Sequence, residues 1–240
     1  MKRSHIILII LSVGILTFAF RHHLKKYLIS RLQVAKGSKT VQDRLEQYGH
    51  TVQERLRPYF EATKISYPPK KAVFVGLKYE KILEVWACGE ENRFDLIRTY
   101  PILAASGRLG PKLKEGDRQV PEGLYRIESL NPNSMFHLSL RINYPNEFDS
   151  EQAKHENRTN LGGDIMIHGS NVSIGCLAMG DEAAEDLFIL AAETGIDNIS
   201  VILSPVDFRK RAFPEVTQPL PEWTDVLNEQ IKQELSKLKT

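Results

Sequence analysis

Two consecutive prolines, Pro68 and Pro69 in "SYPPKK" (66–71), divide this chain into parts with different hydrophobic periods. Tandem proline stops a helix and stiffens a linker, so no regular element crosses this point. Before it, Val41, Leu45, Tyr48, Val52, Leu56 and Tyr59 recur at steps of three and four. That is a helix period, and it predicts an amphipathic helix over about 40–65, with Pro58 positioned to end or bend it. Two placements stay open: a helix linking the N-terminal segment to the body, or one packed on the body. After the prolines come segments of strand character. "AVFVGLKY", "KILEVWACG" and "RFDLIRTYPI" are rich in β-branched and aromatic residues and predict consecutive antiparallel strands.

Further on, "GRLGPKLKEGDRQVPEG" (107–123) holds four glycines and two prolines, and predicts an exposed, turn-rich loop. "LYRI" and "SMFHLSLRI" return to strand character, and "NYPNEFDSEQAKHENRTNLGG" (143–163) is expected as a long polar loop. "DIMIHG" is a short strand, Asp181 is a candidate N-cap for a helix ending at Gly195, and "ISVILSP" is another strand. "PEWTDVLNEQIKQELSKL" closes the chain as an amphipathic helix with Pro221 near its start. The fold class expected is mixed α/β, mostly β, with flanking helices.

The N-terminus suggests export. Lys2 and Arg3 precede an uncharged run from Ile6 to Phe20, fifteen residues long. That is short for a span of ~20 residues and suits a signal h-region. Only Thr17-Phe18-Ala19 resembles a cleavage pattern, so a cleaved signal and an uncleaved signal anchor in the inner membrane both stand. The basic flank, Arg21, Lys25, Lys26, Arg31, Lys36 and Lys39, would by itself hold its side in the cytoplasm. It also suits a solvated flank or contact with anionic lipid heads. The formal net charge of +2 carries none of the basic excess that a nucleic-acid partner requires.

Cys88 and Cys176 are the two cysteines, too few for a disulfide framework or a four-thiolate zinc site. Cys88 falls in a predicted strand and reads as a core thiol. Cys176 lies eight residues after His168, in "IMIHGSNVSIGCLAMGD" (165–181). An imidazolium beside a thiol lowers its pKa and favours the nucleophilic thiolate. Gly175 permits a tight turn, and its N–H and that of Cys176 are candidate donors to an oxyanion. The same residues also suit a buried thiol and a core histidine, and adding Asp164 gives a weak metal reading that no ligand spacing supports. No cofactor is expected.

Several stretches taken together carry a family resemblance. "HG" followed by "SIGC", the "VPEGLYRI" turn and strand, and "LNPNSMFHLSLRINYPNEFD" resemble the L,D-transpeptidase (YkuD-type) catalytic domain. The resemblance covers about Lys70 to Pro205. It is nearest to the Gram-negative murein L,D-transpeptidase-like branch, which includes an amidase that detaches lipoprotein from diaminopimelate. It implies a β-sandwich-like catalytic domain over 68–206, preceded by the signal or anchor over 1–36 and the helix and linker over 37–67, and followed by a loop and helix over 207–240.

By the same resemblance Cys176 is the nucleophile and His168 its base, with the Gly169 carbonyl orienting the imidazole and Ser173 and Gly175 shaping the oxyanion hole. His137, Arg108, Lys112, Lys114 and Arg118 are the candidate substrate-binding residues. The implied partners are peptidoglycan stem peptides and a peptidoglycan-bound lipoprotein, in the periplasm or at the inner membrane. One departure stands out: the family usually carries arginine two residues after the cysteine, where this chain has Ala178. Hydrolysis and transpeptidation share one acyl-enzyme, and a non-catalytic peptidoglycan-binding module is the reading from another class.

Overall fold

The computed structural model describes residues 37–89 and 93–238. The signal or anchor expectation for 1–36 lies outside the described residues, among which no helix is long and apolar enough to cross a membrane. The chain divides after Lys39, and the folded body is the unit from Thr40 on.

Helix α1 (Val41–Thr63) starts at a capping box, in which the Thr40 hydroxyl accepts from the Asp43 N–H and the Asp43 carboxylate accepts from the Thr40 N–H. Pro58 does not end it; the helix runs on to Thr63 and a left-handed Lys64. Val52, Leu56 and Phe60 are buried in the main core, and that burial offsets the backbone bond lost at proline. The helix is therefore packed on the body.

Among the described residues, nine strands follow in one sheet: β1 (Ala72–Leu77), β2 (Ile82–Cys88), β3 (Phe94–Pro101), β4 (Ala104–Ala105), β5 (Gly123–Ser134), β6 (His137–Ile142), β7 (Met166–His168), β8 (Leu177–Ala178) and β9 (Ile199–Ser204). Their order is β3-β2-β1-β9-β5-β6-β7-β8-β4. The first three strands pair antiparallel, as their sequences predict, and β9 lies parallel to β1. All six residues of β1 are buried because both faces of this half-sheet are covered. Phe74 joins the core with α1 and with α3 (Asp181–Thr194), whereas Val73, Val75 and Leu77 pack with Leu227, Ile231 and Leu235 of α4 (Thr224–Ser236).

Strand β5 is longer than the expected "LYRI". Its first residues pair with β9 and its later ones with β6, with register shifts at Ile127/Ser129 and Asn131/Ser134. Those irregularities, in a stretch containing Asn-Pro-Asn, hide its continuation from a period-two pattern.

Two further expectations are corrected. The polar stretch 143–163 is not all loop: Glu147–His155 form α2, opened by a capping box between Asn146 and Asp149. Asp181 is the first residue of α3 rather than its N-cap. Gly180 precedes the helix, and the Asp181 carboxylate accepts from the Ser170 N–H 2.7 Å away.

Candidate active site

The short strands β7 and β8 set the site. They run parallel, with Ile167 opposite Leu177 and His168 opposite Ala178. Side chains two apart on a strand share a face. Cys176 immediately precedes β8, and its sulfur reaches the backbone of β7 at Met166, two residues before His168. Ile167 and Leu177 turn to the other face and are buried in the core.

His168 is 2% exposed, and the Phe136 ring lies over it at a centroid distance of 4.7 Å. Its Nδ1 stands 2.6 Å from the Gly169 carbonyl oxygen. A carbonyl only accepts, so Nδ1 carries the hydrogen and Nε2 is left with its lone pair. Gly169 is fixed in turn by donating to Leu138 O, and the His168 carbonyl accepts from Met179 N–H. A side chain at 169 would meet Asp181 Oδ1 at 2.6 Å and Phe136 O at 2.7 Å, so this close approach requires glycine.

Cys176 is half-buried. Its Sγ accepts from the Met166 N–H at 3.4 Å and lies 3.6 Å from Asp164 O. Burial pushes the thiol above its ordinary pKa. The Met166 N–H and Lys112 work against that, and Asp164 adds to it. Burial likewise holds the His168 imidazole below its usual value, with the Gly169 contact opposing. The thiol lowering anticipated from an adjacent imidazolium is thus reversed: both environments favour the uncharged forms.

Ser173 sits at the turn before the cysteine. Its hydroxyl accepts from Cys176 N–H at 3.0 Å and donates to Cys176 O at 2.6 Å. Gly175, at φ +84°, donates its N–H to Ser106 Oγ at 2.7 Å. Both N–H groups expected to face an oxyanion are therefore held by serine hydroxyls in this arrangement.

The candidate substrate-binding residues separate. His137 is drawn away, its Nε2 2.9 Å from Glu185 Oε1 on α3 and its ring edge-on to Tyr48. Arg108, Lys114 and Arg118 are exposed on the loop. Lys112 is buried, contrary to a wholly exposed loop. It donates to Asp117 at 2.5 Å and to Lys114 O, and it is near enough to act on the Cys176 thiol. Beneath the loop, Lys78 donates to Gly110 O, Val120 O and Glu122. The weak metal set does not assemble: Asp164 offers the thiol its backbone oxygen and sends its carboxylate to Arg141. Cys88 is buried on β2, in the other half of the sheet.

Sequence reasoning missed Ser106, Phe136 and Arg141. For Arg141 a signal existed. In "HLSLRI" the core residues Leu138, Leu140 and Ile142 alternate with Ser139 and Arg141, which places those two on the opposite face.

Comparison with known proteins agrees with this fold. The model of the L,D-transpeptidase catalytic domain, YkuD, matches residues 70–201. That is more than half of the chain, and the chain belongs to this family. It is 35% identical over 114 residues to "Putative L,D-transpeptidase YafK" of Escherichia coli K12, covering 46% of this chain and 43% of that protein. It therefore spans less than half the length of that curated relative. Among solved structures, the helical cell shape determining protein Pgp2 from Campylobacter jejuni is similar at a TM-score of 0.47 and 18% identity, covering 70% of each chain. Bd1075 of Bdellovibrio bacteriovorus is similar at a TM-score of 0.41 and 21% identity, covering 70% of this chain and 55% of that one.

Proposed function

We propose that this protein is a cell-envelope cysteine enzyme acting on diaminopimelate-containing peptidoglycan stem peptides, with Cys176 as nucleophile and His168 as general base. One observation carries the reading: the Nδ1 contact with Gly169 O leaves Nε2 as the base, on the strand whose Met166 N–H meets the Cys176 sulfur. The family membership of residues 70–201 supports the reaction class.

In the proposed reaction Nε2 takes the thiol proton as sulfur bonds to the carbonyl carbon at the L-centre of diaminopimelate. The tetrahedral intermediate collapses, the C–N bond breaks, and the amine leaves with the proton from the imidazolium. Water then attacks the thioester, yields a proton to Nε2 and releases the carboxylic acid, and that proton returns to sulfur. An amine attacking in place of water makes the same enzyme a transpeptidase. As sulfur adds, the Gly175 and Cys176 N–H groups exchange their serine partners for the developing oxyanion. Because burial disfavours charge on either group, the imidazole removes the proton during attack.

We favour hydrolysis that releases a peptide or lipoprotein. Its support is the resemblance of "FHLSLRINYPN" and "HGSNVSIGC" to the branch that contains the lipoprotein amidase, with Ala178 in place of the family's arginine. The reading places the protein in the periplasm. To test it, the protein and Cys176→Ala are incubated with sacculi carrying covalently bound lipoprotein. Muropeptides and released protein are then measured by mass spectrometry. Released protein and tripeptide stems, lost in the variant, are expected. New 3–3 cross-linked dimers would make the enzyme a transpeptidase. No change in either would favour the binding-module reading.

A further inference from the structure

Position 178, two residues after the cysteine, is an alanine, and an arginine stands nearby on another strand. Arg141 on β6 pairs with Met166 on β7. Cys176 lies on the other side of that same residue, its Sγ accepting from the Met166 N–H. Ladder partners share a face, so Arg141, Met166 and His168 lie on the same side of the half-sheet, with Cys176 beside them.

The connection through Asp164 is tighter still. Its carbonyl oxygen is 3.6 Å from Cys176 Sγ, and its carboxylate is 2.7 Å from Arg141 Nη1. A single residue, held at φ +55°, thus spans the distance between thiol and guanidinium.

The guanidinium is charge-balanced without being fully hydrogen-bonded. Glu128 Oε2 approaches Nε to 2.7 Å, yet Nε is buried with no hydrogen-bond partner, because the carboxylate lies out of line with the N–H. Both acidic partners are more exposed than Arg141 itself, at 51% and 76% against 39%. Exposed ion pairs are worth only about 0–1 kcal/mol. A carboxylate arriving in better geometry displaces them readily, since a planar guanidinium pairs with two carboxylate oxygens at once.

We infer that Arg141 is the carboxylate receptor of this site, binding an anionic group of the acyl donor beside Cys176. The inference rests on the proposed reading of Cys176 as nucleophile. It specifies the substrate class as an acyl donor with a free carboxylate close to the scissile carbonyl. In a diaminopimelate stem that is the carboxylate of the far centre. Asp164 holds the guanidinium in place until the ligand arrives.

The test uses two alkylating reagents that differ in charge, iodoacetate and iodoacetamide. In each, the Cys176 thiolate displaces iodide and forms an S–CH2 bond. The full-length protein is treated with each reagent, and the Cys176 rates are read by peptide mapping. Any change in thiol pKa or exposure affects both rates and cancels in their ratio. Arg141→Gln should lower the iodoacetate-to-iodoacetamide ratio ~3- to 10-fold, the effect of one charge at this range and partial burial. Arg141→Lys should stay within about twofold of the parent, and added salt should lower the parent ratio. An unchanged ratio in Arg141→Gln, or equal losses in both variants, would overturn the inference.

A stem peptide amidated on its far carboxylate extends the test to turnover. The parent enzyme should lose ~10- to 100-fold in kcat/KM on amidation, and Arg141→Gln should be nearly indifferent. The two readings fail separately. Absence of a Cys176 acyl adduct counts against the enzymatic reading and leaves the alkylation ratio intact, whereas a flat ratio beside normal turnover counts against Arg141 alone.

Discussion

In the β3-β2-β1-β9 half of the sheet the strands run six to eight residues, and β1 is buried along its whole length between two helical layers. In the β6-β7-β8-β4 half, three of the four strands run two or three residues, and one face carries His168, Ser139 and Arg141. The long half gains stability from ladders and apolar burial. The short half has fewer ladder bonds. One face still buries Leu138, Leu140, Ile142, Ile167 and Leu177, and the other is fixed by side-chain-to-backbone bonds: Ser173 to Cys176, Ser106 to Gly175, Asp181 to Ser170. Short strands end quickly, and their ends place a thiol and an imidazole at the margin of a rigid core. The comparison teaches that the long half is committed to burial on both faces, whereas the short half buries one face and leaves the other to chemistry, so substitutions at β1 and on that polar face should separate the two properties.

The largest separation is expected at Cys176. Cys176→Ala should reduce turnover at least ~10³-fold, in line with loss of a nucleophile, while unfolding free energy changes by less than about 1 kcal/mol. Denaturant unfolding beside the sacculus assay checks both. Phe74→Ala, fully buried on β1, should do the reverse. It should cost about 3–5 kcal/mol of stability and leave kcat near the parent value at temperatures where the variant remains folded.

Asp149 tests a smaller effect, at the junction between the halves. Burial raises its carboxyl pKa to about 6, although the Asn146 N–H and the Tyr125 hydroxyl favour the ionised form. The native state thus holds this proton more tightly than the unfolded chain does. Its contribution favours folding below the unfolded carboxylate range and is lost as pH rises from about 4 to 6. Asp149→Asn should abolish a slope worth on the order of 2 kcal/mol across that window, read from urea midpoints at each pH. Smaller again is Ser173→Ala, which removes two bonds to the Cys176 backbone. It should cost about 1–2 kcal/mol of stability and roughly tenfold in turnover. If it damaged stability as much as Phe74→Ala, the division of labour between the halves would be wrong.

What the sequence disclosed follows the same division. The continuous apolar runs of β1 and β2 and the period of α1 were legible because burial of whole faces imposes a pattern on composition. The pairing of β9 between β1 and β5 was not, since parallel insertion of a distant strand leaves no local trace. His168, Gly169 and Cys176 were legible as a motif of near neighbours. The occupancy of the Gly175 N–H was not, because its partner Ser106 lies far away in sequence. Nor was the raised thiol pKa, which comes from burial that only packing defines. Arg141 was hidden between these cases. Its alternation with Leu140 and Ile142 marked its face, but its proximity to Cys176 depends on β7 lying between them.

The central claim is that Cys176 attacks the substrate with His168 Nε2 as its base. The direct measurement is peptide mapping by mass spectrometry after brief incubation with a diaminopimelate stem substrate and an acid quench. An acyl mass on Cys176, absent from Cys88, strongly reduced in His168→Gln and with an acid limb below the ordinary imidazole pKa of 6.5, is the predicted result. Product formation without any adduct on Cys176, and unaltered in Cys176→Ala, would contradict it.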